Sequence, residues 1–272
     1  MKRSISIGII AAGAIALAIG LPRFLISSPG PEPVIRPRPG SSTSRPIDPA
    51  DIPAPRRMPD GSIDPAFWAN HLAHLDQASA NADAEVLFLG DSITYQFSTV
   101  GADTWSARIV PLQALNLAVS GYQTQHVLWQ ISNGELDRLH PRVIVLLIGT
   151  NNLNDSVPNI VRGITRVVTQ LHQKLPKSRL LLLGLLPRDI IPGSEYREKI
   201  LAINHHLVRL DDGSMTRFMD MGDAFLAPDG KMRLDTTTDG LHLSASGYAV
   251  WFSQMNPMLS ELLSQASTML SH

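Results

Sequence analysis

The sequence predicts an α/β fold in which a parallel sheet is covered by helices on both faces. Three observations carry that expectation. Short runs that are apolar throughout, such as Val86-Leu87-Phe88-Leu89 and Val143-Ile144-Val145-Leu146-Leu147-Ile148, stop at glycines, as strands buried on both faces do. Apolar residues elsewhere recur at helical spacing: Val157, Ile160, Val161, Ile164, Val167, Val168, Leu171 and Leu175 form one stripe, and Tyr196, Ile200, Ile203, Leu207 and Leu210 another. Strand-like and helix-like segments also alternate along the chain, and right-handed crossovers then bring every turn-bearing strand end to one edge of the sheet.

Taken in order, the chain begins with a segment that stands apart from this pattern. Lys2 and Arg3 precede an uncharged apolar stretch from Ile5 to Leu21. A secretory core is about 7 to 15 residues and a spanning helix needs about 20. Residues 1–26 therefore read either as a signal peptide, with Ala16-Leu17-Ala18 as a small-x-small cleavage site, or as an N-terminal membrane anchor lengthened by Phe24-Leu25-Ile26. Both readings keep the basic end inside and put the remainder outside the cytoplasm. The expectation is an exported, periplasmic or otherwise extracytoplasmic protein, secreted or held at the inner membrane through residues 5–26. Residues 27–59 hold ten of the twenty prolines, and Pro-rich chains favour extended conformations over packed structure. This segment reads as a disordered linker, with its arginines at 36, 38, 45, 56 and 57 in solvent. Residues 60–272 are expected to form the folded domain.

Within that domain the candidate strands are Val86 to Leu89, Ala114 to Ala118, Val143 to Ile148, Leu180 to Leu185 and Arg217 to Met219, and a final amphipathic helix runs from Ser246 towards Leu270. A hydrophobic content of 44% over 272 residues suffices for a sizeable core. The formal charge of -1 creates no field that would gather nucleic acid. The lack of cysteine excludes disulfides, thiol nucleophiles and Cys-ligated zinc. His205-His206 lies inside a helical pattern, where neighbouring side chains diverge by about 100° and do not share a metal easily. His71, His74, His126, His140 and His172 have no acid or cysteine at ligand spacing and read as core or surface histidines. Gly149-Thr150-Asn151-Asn152 lacks the lysine of a phosphate-binding loop. No metal and no cofactor are expected.

The chemistry concentrates at the strand ends. Strand one stops at Gly90-Asp91-Ser92, strand two runs into Val119-Ser120-Gly121, strand three stops at Gly149-Thr150-Asn151-Asn152, and a later loop carries Asp239 and His242. Ser92 alone reads more readily as a helix cap than as a nucleophile. With an imidazole to take its proton and a carboxylate to orient that imidazole, it becomes a candidate nucleophile, and His242 and Asp239 supply both. Acyl transfer also needs donors aimed at a developing oxyanion, for which the Ser92 N–H, the Gly121 N–H and the Asn151 amide are candidates. Asp91 reads as a residue ordering the nucleophile turn. Tyr95, Trp105 and Asn152 are candidates for contact with substrate, although core packing explains the aromatic pair equally well.

Four blocks in this order, Gly90-Asp91-Ser92-Ile93, Gly121, Gly149-x-Asn151 and Asp239-x-x-His242, resemble those of the SGNH or GDSL-type hydrolases. Stretches such as Asn133-Gly134-Glu135-Leu136 and Gly184-Leu185-Leu186-Pro187-Arg188 are similar to the alpha catalytic subunits of the platelet-activating factor acetylhydrolases. The resemblance implies a three-layer, flavodoxin-like αβα sandwich around a mostly parallel five-stranded sheet, and a metal-free serine esterase mechanism. Asn152, where many members carry Asp, and the N-terminal extension are departures. With export, the resemblance leads to the expectation of an esterase removing short O-acyl groups, acetyl above all, from an envelope or secreted polysaccharide. A lipase or lysophospholipase and a non-catalytic glycan-binding or scaffold protein of the same fold are the alternatives.

Overall fold

The computed structural model describes residues 49–270, so the stretch read as a signal or anchor and most of the Pro-rich segment lie outside the described residues. Five strands, β1 (Val86–Gly90), β2 (Ala114–Asn116), β3 (Val143–Leu147), β4 (Arg179–Leu183) and β5 (Thr216–Met219), form one sheet in the order β2-β1-β3-β4-β5. All pairings are parallel, with Val86 of β1 opposite Ala114 on one side and Val143 on the other. Every residue of β1, β3 and β4 is buried, which is why these segments read as unbroken apolar runs rather than alternating ones.

The helices are α1 (Pro65–Ala80), α2 (Ser92–Tyr95), α3 (Ala102–Thr104), α4 (Thr124–Ser132), α5 (Val157–Lys174), α6 (Glu195–Leu207) and α7 (Ala245–Leu270). From β1 to β2 the chain steps one way across the sheet, and from β2 onward it steps the other way. Right-handed crossovers therefore deliver the two sets of connections to opposite faces. Helices α4, α5 and α6 lie side by side, whereas α7 packs on β3 and β4 and against α3. The apolar stripe of α5 buries Ile160, Ile164, Val167, Val168 and Leu171, and α7 buries Tyr248, Trp251, Met255, Leu259 and Leu262. The reversal of direction between β1 and β3 opens a crevice at the carboxyl edge of the sheet, where open α/β sheets place their ligands.

The expected linker to Pro59 ends earlier than the composition indicates. Ala50 and Ala54 are buried, the Ala54 N–H donates to the Gln125 carbonyl at 3.1 Å, and the Thr124 hydroxyl donates to the Ala50 carbonyl at 2.7 Å. Gly163 on α5 makes this docking possible, because a Cβ there would lie 2.6 Å from Thr124 Oγ1 and 2.7 Å from the Ala50 carbonyl oxygen. Arg56, expected in solvent, donates from Nε to Asp64 Oδ2 at 2.7 Å. Asp64 in turn caps α1 by accepting from the Ala66 and Phe67 N–H groups. Proline disfavours helix and sheet interiors, but it does not prevent an extended segment from packing through its small residues and carbonyls.

Candidate active site

The nucleophile turn follows from how β1 stops. Gly90 admits no side chain, because a Cβ would collide with the Leu147 carbonyl and Thr94 Oγ1. Asp91 then caps α2, its Oδ1 accepting from the Ile93 N–H at 3.0 Å. The capping role that Ser92 could have filled thus belongs to Asp91. Ser92 becomes the first residue of α2 and turns its hydroxyl to the crevice.

The histidine loop is held by its own backbone. Thr237 and Leu243 form an antiparallel bridge, the His242 carbonyl accepts from the Thr238 N–H at 3.0 Å and from Thr237 Oγ1 at 2.9 Å, and Asp239 Oδ1 accepts from the Leu241 and His242 N–H groups at 2.9 and 2.7 Å. Asp239 Oδ2 is left for the imidazole and lies 2.8 Å from His242 Nδ1. His242 Nε2 lies 3.0 Å from Ser92 Oγ. Burial tends to raise the Asp239 pKa, yet the His242 side chain and the two N–H donors outweigh it and hold the carboxyl below its ordinary value. An ionised Asp239 keeps the imidazole proton on Nδ1 and leaves Nε2 as an acceptor for the serine proton. Three residues separated by up to 150 positions thus form one hydrogen-bonded relay.

Asp91 stands apart from that relay. It is fully buried, and burial pushes its carboxyl up to about 7 even though the Ile93 N–H and the charge of His242 pull it down. Its Oδ2 has no hydrogen-bond partner among the described residues. Its role is the cap, as expected of a residue that orders the turn.

Gly121 and Asn151 face the same edge of the sheet, on the turns that follow β2 and β3. Gly121 sits at φ +76°, a conformation that costs glycine little. The Asn151 amide donates to the Tyr122 carbonyl at 2.8 Å, and Gln123 Nε2 donates to the Asn151 carbonyl at 2.7 Å, so the two turns are bound to each other. An Asn amide has two N–H donors, and only one is needed for this tie. Asn152 is buried and spends its side chain inside the protein: Oδ1 accepts from the Thr124 N–H at 3.0 Å and Nδ2 donates to Gln125 Oε1 at 3.1 Å.

The structure corrects two of the candidate substrate contacts. Asn152 is a clamp between the β3 turn and α4. Trp105 packs edge-on against Phe88 and Phe97 at 5.2 and 5.4 Å between ring centroids and belongs to the core. Tyr95, by contrast, is exposed and lines a cleft of about 540 Å³ that also reaches Ser120 and Arg56. A larger cavity, about 790 Å³, is lined by His140, Arg142, Ser178 and Met215, all of which precede strands, and so lies at the opposite edge of the sheet. The sequence reading missed Arg56, Gln123 and the buried Glu135, which accepts from His71 Nδ1 at 2.8 Å and from His74 Nδ1 at 2.5 Å. These histidines do have an acid partner, but it lies more than sixty residues away, where no spacing rule reaches it.

Residues 88–250 match the model of the GDSL-like lipase/acylhydrolase family, a range that includes Ser92, Gly121, Asn151, Asp239 and His242 and leaves out Arg56. Platelet-activating factor acetylhydrolase IB subunit alpha1 of Homo sapiens is 35% identical over 189 residues, which are 69% of this chain and 80% of that protein. Among solved structures, a GDSL-like lipase from Bacteroides thetaiotaomicron superposes with a TM-score of 0.57 at 17% identity, covering 70% of this chain and 98% of that one. A carbohydrate esterase family 3 protein from Talaromyces cellulolyticus does so with a TM-score of 0.51 at 19% identity, covering 66% and 98%. At these identities the structural likeness concerns the fold.

Proposed function

The chain belongs to the GDSL-like lipase/acylhydrolase family, a family of hydrolases, and from that premise we propose that it is a serine esterase acting on short O-acyl esters, acetyl above all, of an extracytoplasmic carbohydrate. The observation that carries the reading is the unbroken relay from Ser92 Oγ through His242 to Asp239, at 3.0 and 2.8 Å. In this reading Ser92 Oγ attacks the ester carbonyl while His242 Nε2 takes its proton, and Asp239 stabilises the imidazolium that results. The carbonyl oxygen gains charge and is met by the Ser92 and Gly121 N–H groups and the Asn151 amide. Collapse of the tetrahedral intermediate breaks the bond to the alkoxide, which leaves as the alcohol with the proton from His242. Water, deprotonated by His242, then attacks the acyl-serine, and the acid departs as Ser92 regains its proton.

The acetyl preference is supported by the acetylhydrolase subunit among the relatives, and the choice of a carbohydrate is in keeping with a fold that a solved carbohydrate esterase shares. The extracytoplasmic setting is supported by the apolar stretch from Ile5 to Leu21 and the Pro-rich segment after it. The test is an acyl-chain series on synthetic esters, followed by acetylated glycans, with Ser92→Ala and His242→Ala as controls. Each substitution is expected to remove nearly all turnover, with the double variant scarcely worse, because the members of such a relay act as a unit. Turnover by Ser92→Ala would dismiss Ser92 as nucleophile. A tenfold preference for octanoyl over acetyl esters would replace the acetylesterase reading with a lipase.

A further inference from the structure

The cleft of about 540 Å³ starts beside the Gly121 turn, at Ser120, and one helical turn from Ser92, at Tyr95. Its wall mixes small apolar residues with hydrogen-bonding ones: Asn70, His74 and Gln77 come from α1 and Asn116 from the end of β2, and no carboxylate is among the residues that line it, the Glu135 carboxylate lying behind His74 at 2.5 Å from its Nδ1. Arg56 is the lining residue with a permanent charge. It reaches the cleft from the docked segment ahead of α1, outside the part of the chain that matches the family.

The guanidinium has five N–H donors in a fixed fork. Nε is committed to Asp64 at 2.7 Å, while Nη1 makes only a long contact of 3.5 Å with the Ser120 carbonyl. A Cβ on Gly121 would lie 3.4 Å from Nη1, so the outer edge of the fork stands at the turn that carries the Gly121 N–H. Asp64 does not line the cleft, and its other oxygen is occupied by the Ala66 and Phe67 N–H groups. The positive charge of Arg56 is felt nearby, since it joins burial in depressing His126. A guanidinium set in a wall that offers hydrogen-bonding groups and no carboxylate favours an anion. A cationic headgroup would meet like charge there, with one aromatic ring, Tyr95, and no acid to hold it. An acetyl group is too small to occupy such a cleft, which leaves it to the alcohol portion of the ester.

Resting on the esterase reading above, we propose that Arg56 binds an anionic oxygen group, a carboxylate or a phosphate, on the alcohol portion of the substrate, so that the preferred substrate is an O-acetylated acidic sugar. A charge-assisted, fork-shaped contact of this kind favours the acidic ester over its neutral counterpart by about 10- to 100-fold.

The experiment compares three matched esters, an acetylated methyl hexuronide, an acetylated hexose phosphate and an acetylated methyl hexoside, with the full chain and its Arg56→Gln and Arg56→Lys variants. The ratio of kcat/KM for the better acidic ester to that for the neutral one is expected to fall about 10- to 100-fold in Arg56→Gln. The change should reside mainly in KM, and Arg56→Lys should recover part of it. The better of the two acidic esters identifies carboxylate or phosphate as the source of the charge. A wild-type preference for the neutral ester, or an equal loss on all three esters in Arg56→Gln, would overturn the proposal and leave Arg56 a support of the Gly121 turn. Calorimetric binding of the same sugars to Ser92→Ala, with and without Arg56→Gln, separates the two readings. Acidic sugars bound through Arg56 by a protein that hydrolyses none of the esters would sink the esterase reading alone. Hydrolysis without preference for acidic sugars would sink the anion site alone.

Discussion

Replacing Asp91 by Asn should change how the stability of the protein depends on pH. In the folded chain this carboxyl is fully buried and titrates near 7, against 3.8 for an ordinary aspartate, because burial disfavours its charged form. Between those two values the unfolded chain has lost the proton that the folded chain keeps, so the contribution of Asp91 is complete below pH 3.8 and is lost as pH rises towards 7. At about 1.4 kcal/mol per pH unit the loss is on the order of 4 kcal/mol. His126 works in the opposite sense. Burial and the Arg56 charge depress it from 6.5 to about 4, so stability is gained as pH rises through that overlapping range. The wild-type profile alone therefore conceals the effect, and the difference between wild type and Asp91→Asn isolates it. Asparagine preserves the acceptor for the Ile93 N–H, and its buried NH₂ lacks a partner, a cost of about 1 to 3 kcal/mol that does not vary with pH. Urea denaturation at steps from pH 4.5 to 7.5 should show Asp91→Asn at or up to about 2 kcal/mol below wild type at the acid end and about 1 to 3 kcal/mol above it at the neutral end, a swing of about 3 kcal/mol. A gap that stays constant within about 0.5 kcal/mol would refute the reasoning, since Asp91 would then be ionised throughout.

Three further outcomes are expected. Asn151→Ala should lower kcat about 10²- to 10³-fold with little change in KM, because an oxyanion donor bonds strongly only once the carbonyl oxygen is charged; single-ester steady-state kinetics decide it, and a large rise in KM at constant kcat would reassign Asn151 to substrate binding. Asn152→Ala leaves the Thr124 N–H and the Gln125 side chain without their partner and should cost about 1 to 3 kcal/mol in denaturation, with a milder kinetic effect than Asn151→Ala. A chain starting at Asp60 loses the Ala50 and Ala54 contacts and the Arg56–Asp64 pair and should melt about 5 to 10 °C below one starting at Pro49, for a deficit of roughly 2 to 3 kcal/mol. Equal melting temperatures would return residues 49–59 to the role of a linker.

Much of this protein is legible in its amino acids because the deciding interactions are local or periodic. A strand covered on both faces must be apolar at every position, so β1, β3 and β4 stand out as runs, and the stripe on α5 follows from 3.6 residues per turn. The blocks around Ser92, Gly121, Asn151 and His242 are readable for a related reason: each is a tight turn whose residues are set by the backbone beside them, and the parallel topology brings all such turns to one edge. The two-residue gap between Asp239 and His242 is another local fact, since the loop both holds the acid and aims the ring. What escaped that reading depends on partners far along the chain. Trp105 is a wall residue or a core residue according to whether Phe88 and Phe97 surround it, Asn152 turns inward because Thr124 and Gln125 are presented by the preceding crossover helix, α4, and Glu135 finds His71 and His74 across more than sixty positions. Arg56 shows the same limit most clearly. Proline content describes what a segment avoids by itself, whereas the surface it settles on, with Gly163 making room and Asp64 steering the guanidinium towards the cleft, exists only after the remainder of the chain has folded.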